Sequence, residues 1–279
     1  MLAKILAWAI AQDGIRAVAL VGSTARQDHP ADEWSDIDLV LVAVDPQVWL
    51  ASTEWLAAFG EVWFTYPERH SAEAEVIERR VLFAGGQDVD FIIPTVETAR
   101  QGFTGTFVPE IAARGWRVLL DKDGILPDMP VRTSAEPVQP PSWDEFSEVV
   151  NDFWFHAAWT AKKLRRGELW TAIRCCDDYM KRELLLRMLE WQAQALQEEV
   201  VDTWFNGRFL EQWASPAALE KLRIAFAHYD EEDVWRALRE SMALFDQLAR
   251  ETASRWGYEY PVENVEKVVR WVEECNGTL

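Results

Sequence analysis

The first half of the chain alternates short apolar runs with polar segments, and these runs have the lengths typical of strands. They are rich in valine, isoleucine and leucine, which favour buried strands. The predicted strands are residues 17–21, 39–44, 61–66, 80–84, 88–93 and 116–120. A Gly-Gly-Gln turn joins the fourth and fifth of these runs and predicts a hairpin.

Helical patterns separate these strands. Residues 4–12 predict a first helix, and Pro46 suits the first turn of a helix that we expect to run to about Phe59. The segment 95–115 predicts helix with interruptions at its glycines and proline. Strands alternating with helices indicate a sheet flanked by helices.

A proline-rich segment then changes the pattern. Residues 127–141 contain several prolines among serine, threonine and glutamine, which is typical of a linker. A capping box, Ser142 with Glu145, predicts the start of a long helix directly after it. Beyond this point the apolar spacing is helical throughout, with predicted helices at 142–165, 168–196, 216–229, 231–256 and 261–275.

These patterns predict two domains of different class. The first, residues 1–130, is α/β (α+β) with a mixed sheet flanked by helices. A proline-rich linker, residues 131–141, leads to an all-α helical bundle at 142–279. A chain of 279 residues exceeds the usual size of a single domain, which favours the same division.

The net charge of the chain narrows the kinds of partner that the protein can bind. The formal net charge of −19 argues against a nucleic-acid partner, because such binding neutralises phosphates with Lys and Arg. It suits a small cationic ligand, although solubility explains the charge equally well. We expect no membrane partner, because no apolar run approaches the roughly 18 residues needed to span a bilayer. With only 3 cysteines, unsuitably spaced for disulfides or zinc, a cytoplasmic location is expected.

The candidate chemistry lies between the first two predicted strands. The first strand ends in Gly22-Ser23, where glycine permits close backbone approach and serine can cap a following helix. Asp36 and Asp38 then lead into the second strand. Residues two apart on a strand point to the same side, so these two carboxylates are expected to lie together.

Two adjacent carboxylates repel each other, by about 4 kcal/mol at roughly 4 Å and an effective dielectric near 20. A divalent cation removes that penalty, and Mg²⁺ is commonly held by one or two carboxylates together with substrate phosphates. For the Asp-x-Asp tripeptide alone, a pair of solvated acids is the simpler interpretation. The preceding Gly-Ser turn changes this, because the combination resembles the nucleotidyltransferase signature.

The resemblance to nucleotidyltransferases implies a third carboxylate on a strand beside the first two acids, and the fifth strand, DVDFIIP, is where we expect it. Val89, Phe91 and Ile93 fall on one side of this strand, which leaves Asp88 and Asp90 on the other side. An acid in so apolar a strand is unfavourable unless it is paired, metal-bound or near the strand's end. Asp90 is the preferred third metal ligand or general base, and Asp88 is the alternative. An exposed face carrying both acids remains a further interpretation.

Over nearly its whole length the sequence resembles the aminoglycoside 6-adenylyltransferases, the streptomycin-modifying enzymes. In the first half the resemblance is carried by GSTAR (22–26), DEWSDIDLVL (32–41), VDFIIP (89–94) and LLDKDG (119–124). In the second half it is carried by NDFWF (151–155), AKKLRRGEL (161–169), RELLLRMLEW (182–191) and GYEYP (257–261). The first set alone indicates a nucleotidyltransferase, and the second set makes the narrower assignment.

The resemblance implies an enzyme that transfers AMP from ATP to a hydroxyl of a streptomycin-like antibiotic, with Mg²⁺ as cofactor and antibiotic resistance as the result. Asp36, Asp38 and Asp90 would be the catalytic and metal-binding residues. Gly22 and Ser23 would bind the nucleotide. The family commonly has arginine directly after Gly-Ser, whereas this chain has Thr24.

If that missing arginine contacts phosphate, Arg26 or a residue of the helical domain must compensate. The resemblance implies that Lys162 and Arg182 are nucleotide-binding residues. The alternative is that Arg182 pairs with Asp178, and Lys181 with Asp177, along the helix surface, since each pair is four residues apart.

A cationic aminoglycoside needs carboxylates and benefits from aromatic faces. Asp152, Trp154 and Asp178 are the candidate substrate-binding residues. Each has a simpler interpretation as a solvated or core side chain. The alternatives for the whole protein are adenylylation of another small-molecule or protein hydroxyl, or a non-catalytic nucleotide-binding member of the fold. The sequence does not settle the oligomeric state, and a monomer is favoured.

Overall fold

The structure is a computed structural model that describes residues 1–26, 31–69, 76–131, 139–197, 200–203 and 205–277. It divides into two compact units, Met1–Ser134 and Ala135–Leu279. Residues 132–138 of the predicted linker lie outside the described residues.

The first unit contains one six-stranded mixed sheet. Its strands are β1 (Ile15–Val21), β2 (Ile37–Ala43), β3 (Val62–Glu68), β4 (Ile77–Phe83), β5 (Asp88–Ile93) and β6 (Arg117–Asp121). Their order across the sheet is β3-β4-β5-β2-β1-β6. β2 and β5 are parallel, and every other neighbouring pair is antiparallel. The predicted mixed sheet and the β4–β5 hairpin are confirmed.

The helices of the first unit are short. They are α1 (Leu2–Ala11), α2 (Pro46–Ala51), α3 (Val96–Arg100) and α4 (Val108–Ala112), with 3₁₀ turns at Gly22–Ala25 and Glu54–Ala58. The predicted continuous helix from Pro46 to Phe59 is wrong. The indole nitrogen of Trp55 donates to the carbonyl oxygens of Trp49 and Ser52, each at 3.0 Å, and these contacts fix a bend after α2.

Both faces of the sheet are covered. On one face the alternate residues of β2, including Leu39 and Leu41, pack with α1 and the 3₁₀ turn Glu54–Ala58. On the opposite face Val40 and Val42 pack with α3 and α4. Asp38 and Asp90 have the same strand parity as this second set, so their side chains lie on the α3–α4 face.

The second unit is helical throughout its described residues. Its helices are α5 (Trp143–Arg165), α6 (Leu169–Ile173), a π-helix (Arg174–Leu185), α7 (Leu186–Leu196), α8 (Leu210–Trp213), α9 (Pro216–Ala225), α10 (Glu231–Trp256) and α11 (Val262–Asn276). The predicted capping box at Ser142 and Glu145 opens α5. The all-α prediction for this region is confirmed.

One core fills the second unit, with stacked Phe153 and Phe245 rings 3.7 Å apart between α5 and α10. The prediction of a helix at 168–196 has the right extent, but its middle is the π-helix. Such wide helices are rare and often occur at functional sites. In the part of the chain that the structure describes, no helix has both the length and the apolar character needed to cross a bilayer.

Candidate active site

The turn after β1 brings the backbone very close to Asp38. Gly22 has a φ of +63°, and a Cβ built there would lie 2.0 Å from Oδ2 of Asp38. Any L-residue would meet both backbone strain and a steric clash at this position. Glycine is therefore what allows the Gly22–Ala25 turn to approach the carboxylate.

Ser23 follows in the same turn with its hydroxyl unused. Its Oγ is buried and has no hydrogen-bond partner among the residues that the structure describes. A buried polar atom left without a partner is unfavourable by about 1–3 kcal/mol, which a bound polar ligand can offset. Thr24 differs, because its hydroxyl donates back to the carbonyl oxygen of Val21 at 3.3 Å. Arg26 ends the turn, its N–H donating to the carbonyl oxygen of Ser23 at 3.4 Å.

Three carboxylates meet beside this turn. Asp38 on β2 is paired in register with Asp90 on β5, so their side chains project from the same face. Asp36 lies just before β2. One carboxylate oxygen from each of the three lies within 4.8 Å of the others. The structure thus brings together the three acids that the sequence singled out, and their roles stay predictions.

The geometry separates the two candidates for the third acid. Asp90 is 5% exposed and belongs to the carboxylate group. Asp88 is exposed at the start of β5. Asp90 is therefore the acid that can share a ligand with Asp36 and Asp38.

Holding the charges of these three carboxylates together is electrostatically unfavourable. Burial, followed by the charges of Asp36 and Asp90, raises the pKa of Asp38 to about 8. Burial, followed by the charge of Glu78, raises the pKa of Asp90 to about 7. Protons or a cation are needed to relieve the repulsion. A divalent cation with oxygen ligands fits this donor set.

Three charged residues next to this group were not predicted from the sequence. Glu78 and Arg80 lie on β4 and Glu68 lies on β3. Arg80 contacts Oε2 of Glu68 at 2.6 Å, Oε2 of Glu78 at 3.9 Å and Oδ2 of Asp90 at 3.5 Å. The available signal was the two-residue spacing of Glu78 and Arg80, which puts both on one side of a strand.

In the second unit Asp152 is held by two neighbours. The hydroxyl of Tyr179, on the π-helix, donates to Oδ2 of Asp152 at 2.7 Å. Nδ1 of His156 lies 2.6 Å from Oδ1. The hydrogen bond to Asp152 raises the pKa of Tyr179 to about 12. The side chain of Asp152 keeps 30% exposure, so this oriented carboxylate remains accessible.

Trp154 occupies a different environment. It is 5% exposed, and its indole nitrogen donates to the hydroxyl of Tyr260 at 3.1 Å. Its ring contacts Phe153 and Phe245 in the core and borders a cavity of about 760 Å³ between α10 and α11. The core interpretation describes this residue better than an open aromatic face.

The candidate cations of the second unit are also placed. Lys162 lies 5.7 Å from the ring of Trp271, in a pocket of about 410 Å³ with Lys163, Arg165 and Arg166. Arg182 donates to Oδ1 of Asp178 at 2.9 Å, while Arg174 pairs with Oδ2 at 2.8 Å. Asp178 is thus already engaged by two cations.

The related surface-pair interpretation of Asp177 and Lys181 needs correction. They are 2.5 Å apart, but Lys181 is only 5% exposed. Its ammonium also donates to the carbonyl oxygen of Cys176 at 3.0 Å. This ion pair therefore lies in the interior, whereas the Arg182–Asp178 pair lies on the surface.

A Gly-Ser turn beside paired acids on a mixed sheet, with a third acid on the neighbouring strand, is the arrangement of a nucleotidyltransferase. The chain belongs to the streptomycin adenylyltransferase family, whose sequence model matches residues 1–275. The predicted resemblance and the enzyme class are confirmed by this match.

Two curated relatives extend the comparison. The aminoglycoside 6-adenylyltransferase of Campylobacter jejuni is 26% identical, over 92% of this chain and 88% of that protein. The protein of the same name from Bacillus subtilis (strain 168) is 24% identical, over 92% of this chain and 90% of that protein. A crystal structure of an aminoglycoside 6-adenyltransferase from Bacillus subtilis aligns with a TM-score of 0.47 and 21% identity, over 99% of this chain and 97% of that one.

Proposed function

We propose that this protein transfers AMP from ATP to a hydroxyl of a streptomycin-like aminoglycoside, in a Mg²⁺-dependent reaction that gives antibiotic resistance. The observation that carries the proposal is the group of Asp36, Asp38 and Asp90 beside the Gly22-Ser23 turn. Membership of an adenylyltransferase family supports the choice of donor and acceptor. ATP is abundant in the cytoplasm, where we propose the enzyme acts, as a monomer.

Each residue of the first unit has a role in this proposal. Asp36, Asp38 and Asp90 would hold Mg²⁺, which supplies charge neutralisation for the triphosphate and for the attacking oxygen. Ser23 would donate its unused hydroxyl to a phosphate oxygen, and backbone N–H groups of the glycine turn would add to it. Arg26, at the end of the turn, would supply positive charge in place of the missing arginine at Thr24.

The chemistry needs a base because a sugar or cyclitol hydroxyl is a poor nucleophile at neutral pH. Asp90, buried beside Asp36 and Asp38, would accept the hydroxyl proton. The acceptor oxygen forms a bond to the α-phosphorus of ATP. The bond from that phosphorus to the bridging oxygen breaks, and pyrophosphate leaves.

The helical unit would bind the acceptor and part of the nucleotide. Asp152 is the strongest candidate for an ammonium or guanidinium group, because Tyr179 and His156 orient its carboxylate. Lys162 would contact the nucleotide. Arg182 and Asp178 are weaker candidates, because each would have to exchange a partner that it already has.

Pyrophosphate release from ATP tests the proposal, with streptomycin first among a panel of aminoglycosides. Release should require the acceptor and Mg²⁺, and should fall about 100-fold or more in Asp38→Asn and Asp90→Asn. Asp88→Asn is the matched control, since it removes an exposed acid two residues from Asp90 and should retain activity.

Two results would contradict the proposal. Release that responds to another hydroxylated molecule or protein, and to none of the aminoglycosides, would indicate a different acceptor. ATP binding without release for any acceptor would indicate a nucleotide-binding protein. Expression in a susceptible strain, with Asp38→Asn beside the wild type, tests the resistance role by the streptomycin concentration that stops growth.

A further inference from the structure

A row of polar side chains crosses four strands of the sheet on the face that carries the carboxylates. Asp38 on β2 pairs with Asp90 on β5, Asp90 with Arg80 on β4, and Arg80 with Tyr66 on β3. Residues in direct register project to the same face. Glu78 and Glu68 form a second pair in the next row of that face. Arg80 therefore lies between Asp90 and two further acids.

Different nitrogens of the Arg80 guanidinium contact different acids. Its Nη2 lies 3.5 Å from Oδ2 of Asp90, whereas its Nε faces Glu68 at 2.6 Å and Glu78 at 3.9 Å. The side chains of Asp90 and Glu78 are 7% and 5% exposed, so water offers little compensation for their charges. A planar guanidinium can contact several carboxylates at once, in directions set by its fork.

We propose that Arg80 is a positioning residue that orients Asp90 for metal binding, with Glu68 as the anchor of Arg80. By contacting Oδ2, Arg80 fixes the rotamer of Asp90 and so the position of its carboxylate beside Asp36 and Asp38. Partners that orient metal-binding carboxylates commonly change metal affinity by roughly 10-fold or more when they are removed. This inference rests on the proposed role of Asp90 as a metal ligand.

The competing explanation is that Arg80 only neutralises charge. Removing a positive charge near a cation site strengthens cation binding, whereas losing the orientation of a ligand weakens it. A variant that removes both would mix two effects of opposite sign. Arg80→Lys separates them, because it keeps the charge and loses the fork.

The experiment measures Mn²⁺ affinity, as a probe for Mg²⁺, by calorimetry or electron paramagnetic resonance on the full chain without nucleotide. Arg80→Lys should weaken Mn²⁺ binding by about 10-fold. The matched control is Arg79→Lys, the same change on the same strand but on the opposite face. Arg79 donates to Oγ1 of Thr65 at 3.2 Å and to the carbonyl oxygen of Leu50, away from the acids.

Glu68→Gln supplies a second variant that leaves Asp90 and its arginine unchanged. It should also weaken Mn²⁺ binding. The double variant with Arg80→Lys should lose Mn²⁺ affinity by a smaller factor than the product of the two single-variant losses. Circular dichroism and thermal unfolding of each metal-free variant show whether it is folded. High Mg²⁺ should partly restore pyrophosphate release in Arg80→Lys.

The outcomes distinguish the inference from the proposed function. Wild-type Mn²⁺ affinity in folded Arg80→Lys, or an equal loss in Arg79→Lys, would overturn the positioning role. Asp90→Asn is included to test the underlying premise. If it leaves Mn²⁺ affinity unchanged, Asp90 is not a metal ligand, and the inference fails together with the proposed metal site.

Discussion

Gly22→Ala is the sharpest test of the site geometry. Gly22 has a φ of +63°, and the added methyl carbon would lie 2.0 Å from Oδ2 of Asp38, well inside van der Waals contact. The backbone of the turn is tied to the sheet, whereas the carboxylate is the end of a side chain. We therefore expect the carboxylate of Asp38 to move.

Two contributions set the magnitude. An alanine in the left-handed region is disfavoured by about 1–2 kcal/mol relative to glycine. Rotation of Asp38 relieves most of the clash, so the total loss in the free energy of unfolding should be about 2 kcal/mol. Activity is far more sensitive, because a displacement of about 1 Å in a reacting group can reduce the rate roughly 100-fold.

Gly124→Ala is the matched control. Gly124 has a φ of +64°, and a Cβ built there meets no atom within 4 Å. Both variants carry the same backbone strain, but only one clashes with Asp38. Urea unfolding should give losses within about 1 kcal/mol of each other, whereas pyrophosphate release should fall about 100-fold only in Gly22→Ala. Equal activities in the two variants would refute the close approach of Gly22 and Asp38.

Three further predictions follow from the same contacts. The pKa of Asp38 is about 8 in the folded chain and near 4 in the unfolded chain, so the metal-free protein should lose stability as pH rises from about 4 to 8. Urea unfolding of Asp38→Asn should show a smaller dependence of the free energy of unfolding on pH. Metal binding displaces these protons, so Mn²⁺ affinity should increase over the upper part of the same range. Ser23→Ala should increase the free energy of unfolding of the ligand-free protein by about 1–3 kcal/mol, because it removes a buried hydroxyl that has no partner in the described structure. It should also raise the KM for ATP, and an unchanged KM would exclude a contact with ATP. Tyr179→Phe should lower stability by about 1 kcal/mol and raise the KM for the aminoglycoside alone, since Asp152 loses a donor; an equal rise for ATP would count against a substrate role.

The pair of Asp36 and Asp38 could be predicted from the sequence because its determinants are local, whereas the third acid was expected from the resemblance to nucleotidyltransferases. Asp36 and Asp38 are two residues apart at the start of a strand, and the alternation of β5 separates Asp90 from its apolar neighbours. The apolar runs on both sides leave little ambiguity about which segments form strands. The sequence preferred Asp90 to Asp88, and the structure adds a physical reason, because Asp90 is buried within the carboxylate group whereas Asp88 is exposed.

Arg80 could not be placed from the sequence because its role depends on pairing between strands. The register of β4 against β5 puts Arg80 opposite Asp90, and the register of β3 against β4 brings Glu68 near. Neither register follows from the spacing of apolar residues alone. The π-helix was not predicted either, because over a few turns its apolar spacing resembles that of an α-helix.

The acids also help to specify the register that creates their own site. After Asp38, both faces of β2 are apolar. Leu39 and Leu41 lie on one side, and Val40 and Val42 lie on the other. Apolar packing alone would therefore tolerate a slip of β2 by one residue. Such a slip would turn Asp38 toward the α1 face, among the apolar neighbours of Leu39 and Phe91. The buried arginine of that face, Arg79, already donates to Thr65 and to the carbonyl oxygen of Leu50. Burying the carboxylate there is therefore unfavourable unless it displaces those contacts. The charge of Asp38, which favours a bound cation in the folded protein, thus also disfavours the one-residue slip of β2 during folding.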